Sequence, residues 1–214
     1  MSVLTHHLSQ LADGLLSTCL LMVLSFTGSL AVGVVVAAAR VAPVRSLRAT
    51  ATAYVELFQN IPLLVWLLLF VFALPEVGVS FPLFSTAVVV LALYEAAYMA
   101  EAIRSGINSV GKGQAEAARS LGLTTTQALR YVVLPQALRS VVQPVGNVLI
   151  ALTMNTSLAA AVGVVELTHA ANEVNLAEAQ PIPVFVGAGL AYMAVTLTLG
   201  LTVGLVERKA AIVR

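Results

Sequence analysis

The apolar positions of this chain come in runs long enough to cross a lipid bilayer. A hydrocarbon layer of ~30 Å takes roughly 20 helical residues at ~1.5 Å each. From Leu15 to Ala39 no residue is charged over about 25 positions, which predicts a spanning helix. Four further spans follow by the same ruler. The second runs from about Thr52 to Leu74, polar in its first half (Glu56, Gln59, Asn60) and apolar in its second. A short turn, Pro75 to Pro82, leads to a third span from about Leu83 to Ile103. A polar stretch occupies Arg104 to Arg139, and the fourth and fifth spans cover about Ser140 to Met154 and Val184 to Val206. The expected fold class is an all-α integral membrane protein, with 1–214 as a single transmembrane domain.

Composition points the same way. Hydrophobic residues fill 59% of the 214 positions and charged residues 10%, against about 45–50% and ~25% in soluble domains. The net charge of +1 makes no case for nucleic acid. No Lys or Arg precedes the first span, and its apolar stretch exceeds that of a cleaved leader, so it reads as a retained helix. The single cysteine, Cys19, lies inside this span, which rules out an intrachain disulfide and suits a small buried filler.

Charge sets the orientation. With five spans, all eleven basic residues, from Arg40, Arg45 and Arg48 through Arg104, Lys112, Arg119, Arg130 and Arg139 to Arg208, Lys209 and Arg214, share one side. Basic residues concentrate in cytoplasmic segments. The other side receives Asp13, Glu76, Glu166, Glu173 and Glu178 and no base. The amino terminus is therefore expected outside and the carboxyl terminus in the cytoplasm.

The cytoplasmic loop, about 105–139, carries its own pattern. Gln114 to Leu121 is rich in helix formers, and Gly122 suits a left-handed cap at its end. Thr124 and Gln127 have capping-box spacing for a second helix, which Pro135 would end or kink. Such a helix and turn at the membrane surface fits either a docking element or a tidy connection.

The spacing Glu116-Ala117-Ala118, Gly122, Val132, Leu134-Pro135 resembles the EAA loop of ATP-binding-cassette (ABC) importer permeases, with Val132 in place of the more usual Ile. Ala97 to Glu101, Arg104 to Ile107, Leu134 to Ala137, Pro144, Asn147, Asn155 to Ala159 and Gly163 to Leu167 resemble the polar amino-acid branch; within it, Arg104 to Asn108 and Asn147 to Thr153 look most like actinobacterial glutamate permeases. The resemblance implies a type I importer permease fold and ATPase coupling through Glu116, Ala117, Ala118, Gly122, Leu134 and Pro135. It implies three kinds of partner: ABC ATPase subunits holding ATP and Mg, a second permease subunit, identical or homologous, and an extracytoplasmic amino-acid-binding protein. No cofactor is expected in this chain. One departure stands at Gln59, where the branch customarily carries Arg.

The candidate chemistry is sparse. Gly106 to Gly113 nearly matches a phosphate-binding loop, but Gly113 replaces the Ser or Thr that would hold Mg²⁺, and a membrane helix precedes it. Glu95 lies about twelve residues into the third span, roughly 18 Å deep. An ionised carboxylate there costs about 2.5–3.5 kcal/mol, so it should face a cavity or a partner. It either receives the ammonium of an amino acid or makes a structural hydrogen bond. Glu101, with Arg104 at i+3, reads as a helix-surface pair.

Asn155-Thr156-Ser157 is expected to break the fourth span, with Thr156 or Ser157 capping a short helix over Leu158 to Leu167. The positive end of that helix would suit a carboxylate; the alternative is an ordinary turn into a surface helix. Gly200 and Gly204 have close-packing spacing, and internal packing is the expected role. His6, His7 and His169 form no metal set. The function expected is import of a polar amino acid: glutamate first, with glutamine, arginine or histidine open. The rival is a small secondary transporter or channel, which would show an internal repeat. An enzyme is not expected, since no His/Asp/Ser constellation lies within the spans.

Overall fold

The computed structural model describes residues Ser2–Ala210, so Arg214, counted above among the cytoplasmic bases, lies outside the described residues. Among the described residues the ordered elements are all helical. A short α1 (Ser2–His6) leads into α2 (Leu8–Val41), which runs for 34 residues. Next come α3 (Arg45–Asn60), α4 (Leu63–Leu68), a π turn (Leu69–Ala73) and α5 (Leu74–Glu76). The central helix is α6 (Leu83–Asn108); α7 (Lys112–Ser120) and α8 (Thr125–Ala128) form the polar loop. A second π turn (Leu129–Val133) joins α9 (Leu134–Asn155), and a 3₁₀ segment (Thr156–Val162) extends it. The chain closes with α10 (Leu167–Glu178) and α11 (Pro181–Ala210).

Four stretches are long and apolar enough to cross a membrane: Leu8–Val41, Leu83–Asn108, Thr125–Val162 and Pro181–Lys209. The expected second span, Thr52 to Leu74, is not one continuous helix. It is split between α3 and the helices from Leu63 to Glu76, whose axes differ by 99°. Pro62 explains the break: it offers no N–H and disfavours helical geometry in the residue before it. Ile61 accordingly adopts φ −108°, ψ 129°. Asn60 finishes α3 by donating its side-chain amide to the Glu56 carbonyl at 2.7 Å.

The core forms around α6, against which α2, α3 and α9 pack. Ala96, Ala97, Met99 and Ala100 are fully buried there. The approach of these helices rests on absent side chains. A Cβ on Gly33 would lie 2.6 Å from Met99, one on Gly106 2.2 Å from Val141, and one on Gly146 2.3 Å from Val203. Small residues at such crossings allow the backbone proximity that drives association in lipid. Gly200 and Gly204 do not share this role in the subunit. The nearest atom to a Cβ on Gly200 is 3.8 Å away, and Gly204 faces open space. Cys19 is only half-buried rather than a core filler.

A direct consequence concerns the α6–α9 seam. A Gly106→Ala Cβ would also sit 3.1 Å from the Val141 backbone, which cannot rotate away. We expect a loss of about 1–3 kcal/mol, read as a lower thermal midpoint of the purified protein. Gly113→Ala, with nothing within 4 Å of the added atom, should show no loss.

Candidate functional site

The polar loop is built by local chemistry. Gly122 has φ +86°, and its N–H donates to the Arg119 carbonyl at 2.9 Å while the Leu123 N–H donates to Ala118 at 3.2 Å. These two bonds close the end of α7 in a Schellman motif. Thr124 then caps α8: its hydroxyl accepts from the Gln127 N–H at 3.3 Å, and the Gln127 side chain accepts from the Thr124 N–H at 2.9 Å. Pro135 does not end the helix. It stands in the first turn of α9, where the π turn before it keeps the helix continuous from Thr125. Glu116, Ala117, Arg119 and Ser120 face outward, whereas Ala118 is buried. Leu121 stands 85% exposed at the tip, with Tyr131, Leu129 and Leu134 also outward on the following helix. Leu134 and Pro135 are both exposed.

Half-way along α6 lies the second cluster. Glu95 is 2% exposed and accepts a hydrogen bond from the Asn155 side-chain amide at 2.7 Å. The pair borders a cavity of about 370 Å³ lined also by Tyr94, Tyr98, Asn147 and Ala151. Tyr94 and Tyr98 hydroxyls are 3.2 Å apart. The cavity thus combines a carboxylate, two amides and two phenols with apolar walls, which suits a small zwitterion.

Thr156 and Ser157 do not join this cluster, contrary to the sequence expectation. The chain passes from α9 into the 3₁₀ segment without a break, so no half-helix begins at Asn155. The Thr156 hydroxyl donates back to the Thr153 carbonyl and that of Ser157 to Met154, both at 2.7 Å. Hydroxyls satisfied by the preceding turn leave the helix able to continue. Ser157 lines a separate opening with Met154, Tyr192, Met193 and Thr196.

The real break comes at Gly163, φ +90°, and the cap of the next helix is Glu166. This carboxylate, fully buried, accepts from the Thr168 and His169 N–H groups at 2.9 and 2.8 Å. It also accepts from the Tyr192 hydroxyl at 2.5 Å. Thr18 completes the knot by accepting the Leu167 N–H at 3.1 Å. Sequence reasoning placed Glu166 among outward acids and missed its role, because Glu is not among the favoured capping residues.

At the opposite end of α6, Glu101 pairs with Arg104 as expected, at 2.7 and 2.9 Å. It also binds Arg40 from α2, which spacing along one helix could not reveal. His7 contacts Glu178 at 2.9 Å and His169 contacts Glu173 at 3.5 Å. The near-match to a phosphate loop is divided between two helices and the turn joining them: Gly106 lies in α6 against Val141 of α9, and Gly111 precedes α7.

Residues 29–212 match the family of binding-protein-dependent transport system inner membrane components. The chain belongs to this family. It is therefore a permease component of a transport system, multi-pass in the membrane, and not an enzyme. The permease is 38% identical to a probable glutamine ABC transporter permease, GlnM, of Bacillus subtilis over 97% of its own length and 96% of the relative's. It is 37% identical to the glutamate transport system permease GluC of Corynebacterium glutamicum, covering 91% of both chains. A crystal structure of an amino acid ABC transporter with histidines superposes with a TM-score of 0.92 at 32% identity, over 96% of each chain. The methionine transporter MetNI, at 23% identity and a TM-score of 0.77 over 96% and 98% of the chains, shares the fold. Family and fold together favour the ABC permease over a secondary transporter. The fold is that of type I importer permeases, with four apolar helices long enough to span and one bent helix pair.

Proposed function

We propose that the permease imports a polar amino acid, crossing the membrane five times with its amino terminus outside and its carboxyl terminus in the cytoplasm. The bent pair α3–α4 supplies the fifth crossing. In this orientation the described basic residues lie on the cytoplasmic side with α7. A second permease subunit, identical or homologous, completes the pathway, and an external binding protein delivers the substrate. ATP and Mg act on separate ATPase subunits, which meet Glu116, Ala117 and the Gly122 turn. The outward Leu121, Leu129 and Tyr131 add an apolar rim to that contact. Ala118 supports the loop from behind, while the exposed Leu134 and Pro135 border it from the start of α9.

One observation carries the substrate class: the buried Glu95, bonded to the half-buried Asn155 and opening onto a cavity within the helix bundle. An acid inside a membrane is retained where it faces a cavity or a partner, and this one has both. Glu95 would receive the α-ammonium while Asn155 and Asn147 orient the rest of the molecule. Glutamate is favoured, in keeping with the named glutamate and glutamine relatives. Gln59 supplies no charge where the branch customarily carries Arg, and the second subunit is one source of any charge pairing needed there.

The test is uptake of labelled glutamate, glutamine, arginine and histidine by cells lacking this gene, complemented with native protein or Glu95→Gln. Native protein should restore one of the four. Glu95→Gln, which keeps the shape but not the charge, should lower uptake by at least about tenfold, a change of ~1.4 kcal/mol, at equal membrane abundance. Full rescue by Glu95→Gln would remove Glu95 from substrate binding. Unaltered uptake of all four, with no redundant system, would overturn the amino-acid assignment.

A further inference from the structure

Where α2 ends, α3 begins and α6 comes to a close, four arginines converge. Arg40, Arg45, Arg48 and Arg104 line an open cavity of about 660 Å³ together with Ala49, Thr52, Ala53 and Glu56. The positive charge is not used up internally. Glu101 holds Arg40 and Arg104, and Glu56 is the one carboxylate of the lining. Four guanidinium groups against these two carboxylates leave an excess of two positive charges. Arg45 and Arg48 are exposed; the one side-chain bond described for Arg48 goes to the Ala42 carbonyl at 3.3 Å, which leaves its charge unpaired. The Glu101 clamp orients Arg40 and Arg104, so part of the donor set is preorganised.

We infer that this cavity binds a phosphate-bearing anion, and specifically the headgroup of an anionic phospholipid. Guanidinium forks match phosphate oxygens in geometry as well as charge. Basic openings between membrane helices at the cytoplasmic face are suited to anionic lipid headgroups. The surroundings favour a lipid over a free phosphate: Val41, Val44 and Leu47, each at least half exposed, stand beside the arginines and offer an apolar surface to acyl chains. α3 is the element affected, since its first turn supplies Arg45 and Arg48 and its far end adjoins the Pro62 bend. A lipid seated there ties the start of α3 to the ends of α2 and α6. The inference rests on the orientation proposed above only for which leaflet supplies the lipid.

The experiment is native mass spectrometry of the full transporter released from detergent, titrated with phosphatidylglycerol, phosphatidylcholine or inorganic phosphate. Native protein should retain phosphatidylglycerol at least about tenfold better than phosphatidylcholine. Arg45→Ala/Arg48→Ala, both on exposed positions, should erase that preference while the complex stays assembled. Arg45→Lys/Arg48→Lys should keep part of it. Equal retention of both lipids by native protein, or an unchanged preference in the alanine variant, would overturn the proposal. Tight binding of inorganic phosphate that displaces the lipid would overturn the lipid as occupant and leave a soluble phosphate in its place. Because the measurement is made without a membrane, its failure is separable from failure of the orientation or of the uptake assay.

Discussion

A Gly122→Pro permease is expected to reach the membrane and yet support at most about a tenth of native uptake. Gly122 holds φ +86°, whereas proline is confined near −65°. Proline also deletes the N–H that reaches the Arg119 carbonyl. The Schellman closure then fails, and α7 and α8 lose their fixed angle. No atom lies within 4 Å of a Cβ at this position, so conformation alone decides the outcome and volume plays no part. A graded series follows from that. Asn tolerates the left-handed region and should retain most uptake, Ala less, and Val less again, since a side chain there costs roughly 1–2 kcal/mol. Co-purification of the ATPase subunits with each variant would distinguish loss of docking from loss of folding. Full uptake by the proline variant would remove this turn from the coupling mechanism.

Replacing Glu166 should damage the fold more than any other single change around α10. The carboxylate serves two backbone N–H groups of α10 and the Tyr192 hydroxyl of α11. Thr18 of α2 lies at its edge, its hydroxyl 3.5 Å away. Glu166→Ala takes the carboxylate acceptor from these part-buried donors, of which Tyr192 keeps only the Thr168 hydroxyl at 3.1 Å, a loss of about 2–5 kcal/mol. Glu166→Asp keeps a good capping group but is one methylene too short to reach Tyr192 as well, so its loss should be smaller. Tyr192→Phe removes one donor together with its bond and should cost only about 1 kcal/mol. Thermal unfolding of the purified protein orders the three variants. An alanine variant as stable as native protein would show that water or a rearranged loop replaces the carboxylate.

These two sites differ in how they could be read beforehand. The α7 cap and the Thr124–Gln127 box are each complete within six residues, and backbone preferences of single residue types specify them. Spacing alone therefore located them. Glu166 depends on Tyr192, 26 positions away, and is bordered by Thr18 at a separation of 148. Only its contribution to outward charge was visible in the chain.

The midplane cluster falls between these cases. Glu95 and Asn155 were each conspicuous as polar residues in apolar surroundings, but their bond joins positions 60 apart. The neighbouring Thr156 and Ser157 looked equally suited and are satisfied instead by their own helix. A hydroxyl can bond to the preceding turn or cap a new one, and both outcomes have the same sequence. The helix bend at Pro62 was local in origin, yet the apolar run through Leu74 hid it, because hydropathy measures the solvent and not the direction of the axis.

The sequence by itself determined that the chain is built for lipid, where most of its long apolar helices lie and where the glycine cap of α7 falls. Burial of apolar runs and the dihedral limits of glycine act over distances of a few residues to one span. Tertiary structure alone decided which polar groups distant in the chain meet. It paired Arg40 with Glu101, seated Asn155 on Glu95, hid Glu166 under α11 and opened the arginine cavity between three helix ends. In a low-dielectric interior each of those groups must find a partner, but the partner's identity depends on how helices cross. That crossing is set by the close approach at Gly33, Gly106 and Gly146, a packing result that no single segment contains.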